Sequence, residues 1–135
     1  MRVRRMTNAV AVSAAVSAVA MSGLLFATPA AASGGGGVER TGACSGRSTW
    51  DLKAKYDDGR IEVEFEVDTP RVGRTWNVTI RDNTVLVFSG SRVTQAPSGS
   101  FEVERRVVNR AGVDHFVARA RDTVNGELCV GRVDL

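Results

Sequence analysis

The sequence predicts an all-β fold, a single two-layer antiparallel sandwich of seven strands behind an N-terminal processing segment. Three observations carry this. In "KYDDGRIEVEFEV", Lys55 to Val67, apolar and charged residues alternate on both sides of Asp58-Gly59. A second hairpin-type pair, Asn125-Gly126, lies near the end of the chain. Between these points turn signals recur at strand spacing, and no stretch after Ser33 has helical periodicity.

The first segment reads as an export signal. Arg2, Arg4 and Arg5 give a positive start, Asn8 to Ala27 is an apolar Ala/Val/Ser run, and Ala30-Ala31-Ala32 supplies a small-residue cleavage site before Ser33. The run is nearly long enough to span a membrane. Its Ala and Ser content and the cleavage pattern favour a removable signal over an anchor. The expected organisation is therefore a signal peptide over 1–32, a flexible glycine-rich tether over 33–43 and a sandwich domain over 44–135. The expected location is secreted or extracellular, with no stable membrane insertion once the signal is removed.

Cleavage changes the charge. The whole chain has 18 Lys+Arg and 15 Asp+Glu, a formal +3, but three arginines lie in the signal. The remainder is neutral, which removes the main reason to expect a nucleic-acid partner. Cys44 and Cys129, in an exported chain, are expected to form a disulfide between the start of the domain and its last strand. "TGAC", Thr41 to Cys44, loosely resembles a lipidation site but lies beyond the glycines. Two Cys and one His offer too few ligands for a zinc site.

A two-residue turn at Asp58-Gly59 fixes a register. Tyr56 faces Ile61, Ala54 faces Val63, Leu52 faces Phe65 and Trp50 faces Val67. On the other side Lys55 meets Glu62 and Lys53 meets Glu64, and Asp51 opposite Glu66 is the one poor pair. The same treatment of Asn125-Gly126 sets Phe116 against Leu135, Ala118 against Val133 and Ala120 against Gly131, with Cys129 opposite Asp122. It also sets Arg119 against Arg132, an unfavourable pair that a bound anion would relieve. The small residues here leave a notch, for which Trp76 is the expected filler. Arg74–Arg81 forms the strand that carries Trp76, Val78 and Ile80. Val85–Ser91 follows with an open register: a two-residue turn buries Val85 and Val87, a three-residue turn Leu86 and Phe88. Phe101, Val103 and Val107 mark one further strand.

"AGVDHFVARARDTVNGELCVGRV" resembles the last two strands of immunoglobulin-like and fibronectin type III-like domains, where a glycine-rich turn leads into an aromatic-bearing strand and a short hairpin. Trp76 is similar in placement to the core Trp of immunoglobulin domains. The resemblance implies an immunoglobulin-like sandwich. Cys44, placed before the first expected strand, departs from the inter-sheet bridge of antibody domains, and His115 or Phe116 stands at the tyrosine-corner position. The signal, the Arg/Val/Ala usage and the glycine tether also resemble small secreted actinobacterial proteins.

Catalysis would need a nucleophile and an oriented base. His115 is the only histidine, Asp114 points to the opposite strand face, and no nucleophile elbow exists, so no enzyme is expected. Glu62, Glu64 and Glu66, with Glu102 and Glu104 if those strands pair, form a carboxylate row that could hold Ca²⁺. Parallel strand side chains converge poorly on one ion, however, and Lys53 and Lys55 neutralise the row, so no cofactor or metal is expected. Asn77-Val78-Thr79 fits a glycosylation pattern inside a strand and is set aside. The opposite sheet would present Asn77, Thr79, Arg81, Arg119, Arg121 and Arg132, a flat basic face able to grip carboxylates or sulfates. The expected function is a secreted, non-enzymatic binding or adhesion module that recognises a cell-surface polymer or an extracellular protein. The alternative is a small-ligand carrier resembling the apoproteins of enediyne antibiotics, which typically carry two disulfides and a cleft.

Overall fold

The computed structural model describes residues 36–135. The expected signal peptide, its cleavage point and the first residues of the tether lie outside them. Among the described residues there are eight strands and no helix: β1 Gly37–Ala43, β2 Thr49–Asp57, β3 Arg60–Asp68, β4 Thr75–Asp82, β5 Val85–Val93, β6 Ser100–Val108, β7 His115–Asp122 and β8 Leu128–Asp134. They form two four-stranded antiparallel sheets, ordered β1-β2-β3-β6 and β5-β4-β7-β8.

The β2–β3 hairpin has the expected register throughout, from Tyr56 opposite Ile61 to Trp50 opposite Val67. Asp58 and Gly59 both take positive φ, 46° and 72°, as the tight turn requires. Slipping this pair by one residue would turn Leu52, Ala54, Ile61, Val63, Phe65 and Val67, all fully buried, out to water.

Two expectations about the end of the chain need correction. The β7–β8 register is displaced by two residues: Phe116 faces Val133, Ala118 faces Gly131 and Ala120 faces Cys129. The cause is a longer connection. Asp122 Oδ1 accepts from the backbone N–H of Val124 at 2.7 Å and of Asn125 at 3.3 Å, and the Asp122 N–H donates to the Glu127 carbonyl at 2.9 Å. The aspartate thus organises a broader loop in place of a two-residue turn. An even displacement keeps every side chain on its expected face. The notch at Gly131 is filled by Trp50, since a Cβ at Gly131 would lie 2.9 Å from the indole. Trp76 cannot fill it, because β4 is in the same sheet as β8. It lies in the core with its ring 6.1 Å from that of Phe101.

The stretch expected to remain tether as far as residue 43 contains β1, which pairs with β2 from Gly37 opposite Lys55 to Ala43 opposite Thr49. Gly42 allows this strand to lie against Trp50: a Cβ there would meet the indole at 2.6 Å. Cys44 directly follows β1, and its disulfide to Cys129 ties the end of the first strand of one sheet to the last strand of the other, across 85 residues. The bridge therefore spans the sheets, through different strands from the antibody bridge. Ser45 adds a strap beside it: its N–H donates to Leu128 O and its Oγ accepts the Leu128 N–H, both at 2.9 Å.

Both alternatives for β5 are partly realised. The hairpin closes through Asn83-Thr84, with Asp82 opposite Val85, and a bulge between Ile80 and Arg81 then brings Phe88 opposite Ile80 and into the core. Val85 and Leu86 are left exposed. Phe88 lies at the β5/β6 edge of the sandwich between two guanidinium groups, Arg92 at 4.8 Å and Arg105 at 4.7 Å from the ring centroid. These cations close a sheet-to-sheet gap that an apolar lid would otherwise have to fill.

Candidate functional site

β4 and β7 are neighbours, and period-two alternation sends their odd-numbered residues outward. Two rows result: Ser91, Asn77, Arg121 and Leu128, then Ser89, Thr79, Arg119 and Val130. A third row holds Leu86, Arg81, Val117 and Arg132. The six residues expected on this face are all there, with Thr79 half-buried and the other five exposed. The expected Arg119–Arg132 clash does not occur. The longer β7–β8 connection sets Arg119 opposite Val130 and Arg132 opposite Val117. Arg81 and Arg132 flank Val117 from either side.

Among the described residues, Arg81, Arg119, Arg121 and Arg132 form no salt bridge. Arg81 donates to Thr84 O at 3.1 Å and Arg121 to Gly126 O at 3.4 Å, which steadies two guanidinium groups without neutralising them. Asn77 Oδ1 accepts from Ser91 Oγ at 2.9 Å, leaving its amide donors outward. The one carboxylate on this face, Asp134, is engaged by His115 Nδ1 at 2.7 Å. His115 is thus an exposed strand histidine paired across the hairpin. Ser89 and Ser91 on β5 complete the polar rows. The sequence reading missed them because the β5 register was open.

The other outer face is acidic. Glu39 on β1, Asp51 and Asp57 on β2, Glu62, Glu64, Glu66 and Asp68 on β3, and Glu102 and Glu104 on β6 share it with Lys53, Lys55, Arg60 and Arg106. β3 and β6 do pair, setting Glu64 beside Glu104 and Glu66 beside Glu102. Lys55 Nζ lies 2.6 Å from Glu62 and 3.8 Å from Glu64, and Lys53 lies 3.6 Å from Glu64. The hydrogen bond from Lys55 holds the Glu62 carboxyl below the usual carboxylate range, and the same bond raises the lysine. Asp51, Glu66, Glu102 and Glu104 have no such partner among the described residues. Burial, then Glu39 and Glu66, push the Asp51 carboxyl up. Glu62, Glu64 and Glu66 are therefore divided: lysines hold the first two, and the third sits in a row with Asp51 and Glu102. No group of three or more His, Cys, Asp or Glu side chains among the described residues is placed to hold one metal ion.

A cavity of about 280 Å³ opens at the disulfide end between Arg47, Thr69, Arg71, Asn125 and Glu127. Its lining is polar, whereas sites for small organic ligands are lined mostly by apolar and aromatic groups. Comparison of the chain with protein-family models, with curated proteins and with solved structures returns no match.

Proposed function

We propose that the chain is a secreted, non-enzymatic binding module of immunoglobulin-like architecture that holds an anionic partner, a cell-envelope polymer or an acidic protein, against its arginine face. The observation that carries this is the set of four exposed arginines on β4, β7 and β8 with no carboxylate bound to them among the described residues. Guanidinium forks on a rigid sheet offer planar, two-pronged recognition of carboxylate, sulfate or phosphate without a loop having to be ordered first. Asn77 and Thr79 add neutral hydrogen-bonding groups between them.

Strand order supports the architectural part. With β1 set aside, β2-β3-β6 stand where immunoglobulin domains have A, B and E, and β5-β4-β7-β8 where they have C′, C, F and G. Trp76 then falls on strand C, the strand of the buried immunoglobulin Trp. The Cys44–Cys129 bridge supports export, since such bonds persist in oxidising compartments.

The test is retention on cell-envelope material. The purified protein binds at low salt and is released as ionic strength rises, and Arg119→Ser/Arg121→Ser is not retained. Equal retention of that variant would exclude the arginine face as the contact.

A further inference from the structure

The two outer faces of this sandwich are complementary to each other. We propose that the acidic partner of the arginine face is the β1-β2-β3-β6 face of a second copy of this chain, so that molecules stack face to face in salt-sensitive chains. The inference rests on the reading of the arginine face as a binding surface.

Four features carry it. First, the charges left unpaired among the described residues are of opposite sign on opposite faces: Arg119 and Arg121 on β7, against Asp51, Glu66 and Glu102. Second, their spacings match. Arg119 and Arg121 are two residues apart on one strand, as are the unpaired Glu102 and Glu104 on β6, each pair separated by about 6.6 Å. Third, residues 36–135 are neutral as a whole, with fifteen basic and fifteen acidic side chains, so two copies of this part approach without net repulsion. Fourth, the faces are large enough. Four strands of about nine residues cover roughly 550 Å² on each partner, and about 1,100 Å² together falls in the range of weak, transient interfaces.

The geometry decides the type of assembly. Acidic face on arginine face is a heterologous contact: each copy uses one face to bind and leaves the other free. Such contacts give rings or open chains, never a closed two-fold dimer. Association carried by charges across a polar interface is weak and fast, and is screened by salt.

The experiment is sedimentation velocity of the purified protein over a concentration series at low and high salt, with two exposed-site variants. Arg119→Ser/Arg121→Ser removes one face and Glu66→Gln/Glu102→Gln the other; circular dichroism and Tm establish that both remain folded. The unaltered protein is expected to form dimers and longer species at low salt and to return to monomer at about 0.5 M salt. Each variant alone loses the associated species. Their equimolar mixture forms a 1:1 dimer through the two intact faces and grows no further. The proposal is overturned if the unaltered protein stays monomeric at low salt, if either variant associates like it, or if the mixture stays monomeric. A monomer that still binds envelope material through Arg119 and Arg121 would overturn stacking and leave the arginine face as a binding surface. Failure of both would remove both.

Discussion

Each end of the sandwich buries an aspartate at the tip of a central strand, and the two are treated in opposite ways. At the disulfide end, Asp122 at the close of β7 is 3% exposed and fully partnered. Arg74 Nη2 lies 2.8 Å from each of its oxygens, and the amides of Val124 and Asn125 donate to Oδ1. Burial alone would raise this carboxyl, but Arg74 and the amides outweigh it and hold it below the usual range. At the other end, Asp82 at the close of β4 is fully buried beside Asp114, itself 1% exposed. Among the described residues Asp82 accepts one side-chain hydrogen bond, from the Asn83 amide at 3.2 Å, and has Arg110 Nε as an ion-pair neighbour at 3.4 Å, while neither oxygen of Asp114 has a hydrogen-bond donor. Burial, then the neighbouring Asp114, pushes Asp82 up. Identical chemistry at equal depth ties one end together and leaves the other short of a positive charge, so a partner's presence, not burial, decides what a buried carboxylate does.

The largest expected effect is at the tied end. Reducing the disulfide, or replacing Cys44 and Cys129 by Ala, costs about 4 kcal/mol in the chain-entropy picture, read from urea unfolding of oxidised and reduced protein. Asp122→Ala comes next at about 3 kcal/mol, the lower end for a broken buried pair, because Arg74 keeps 16% exposure and can draw water. A change below about 1 kcal/mol would mean that the loop holds itself without its aspartate. At the other end the sign reverses. Asp114→Asn supplies a donor to Asp82 and is expected to stabilise by about 1 kcal/mol at neutral pH.

The two ends also pull the pH profile in opposite directions. Asp82, raised in the folded state, binds its proton more tightly than the unfolded chain does. Its penalty is present at neutral pH and relieved as pH falls through the folded value towards the ordinary aspartate range. Asp122, lowered on folding, contributes stability above the ordinary range that is lost as pH falls through its folded value. Stability is therefore expected to peak in mild acid. Asp114→Asn should flatten the neutral arm and Asp122→Asn the acid arm, followed by Tm against pH. The smallest effect belongs to the surface: Lys55→Ala should lower Tm slightly at low ionic strength and not at about 0.5 M salt.

The sequence was most legible where local chemistry and long-range packing agree. Asp58-Gly59 sets a turn, the turn sets the pairing, and the pairing places Lys55 on Glu62 and Phe65 in the core. Legibility fell where a side chain overrode the turn residues. Asn125-Gly126 looks like a tight hairpin, but the Asp122 carboxylate gathers two amides and widens it. β1 was missed because, as an exposed edge strand, it has only Val38 and Gly42 to mark an inner face, and Gly42 acts through what it lacks, a side chain between the strand and Trp50. The arginine face was found because period two survives an even displacement. Its neighbours were not, since each depends on the register itself. Once Arg119 lies beside Val130, the case for a ligand rests on unpaired charge and no longer on repulsion between arginines.

That case is tested most directly by mapping where an anion lands. Backbone amide NMR shifts of the purified protein, titrated with a short sulfated or carboxylated oligosaccharide, should move together on β4 and β7, at Asn77, Thr79, Arg119 and Arg121. The amides of β3 should stay still. Shifts confined to the loops around Arg47 and Arg71, or no saturable shift at low salt, would contradict a binding role for the arginine face.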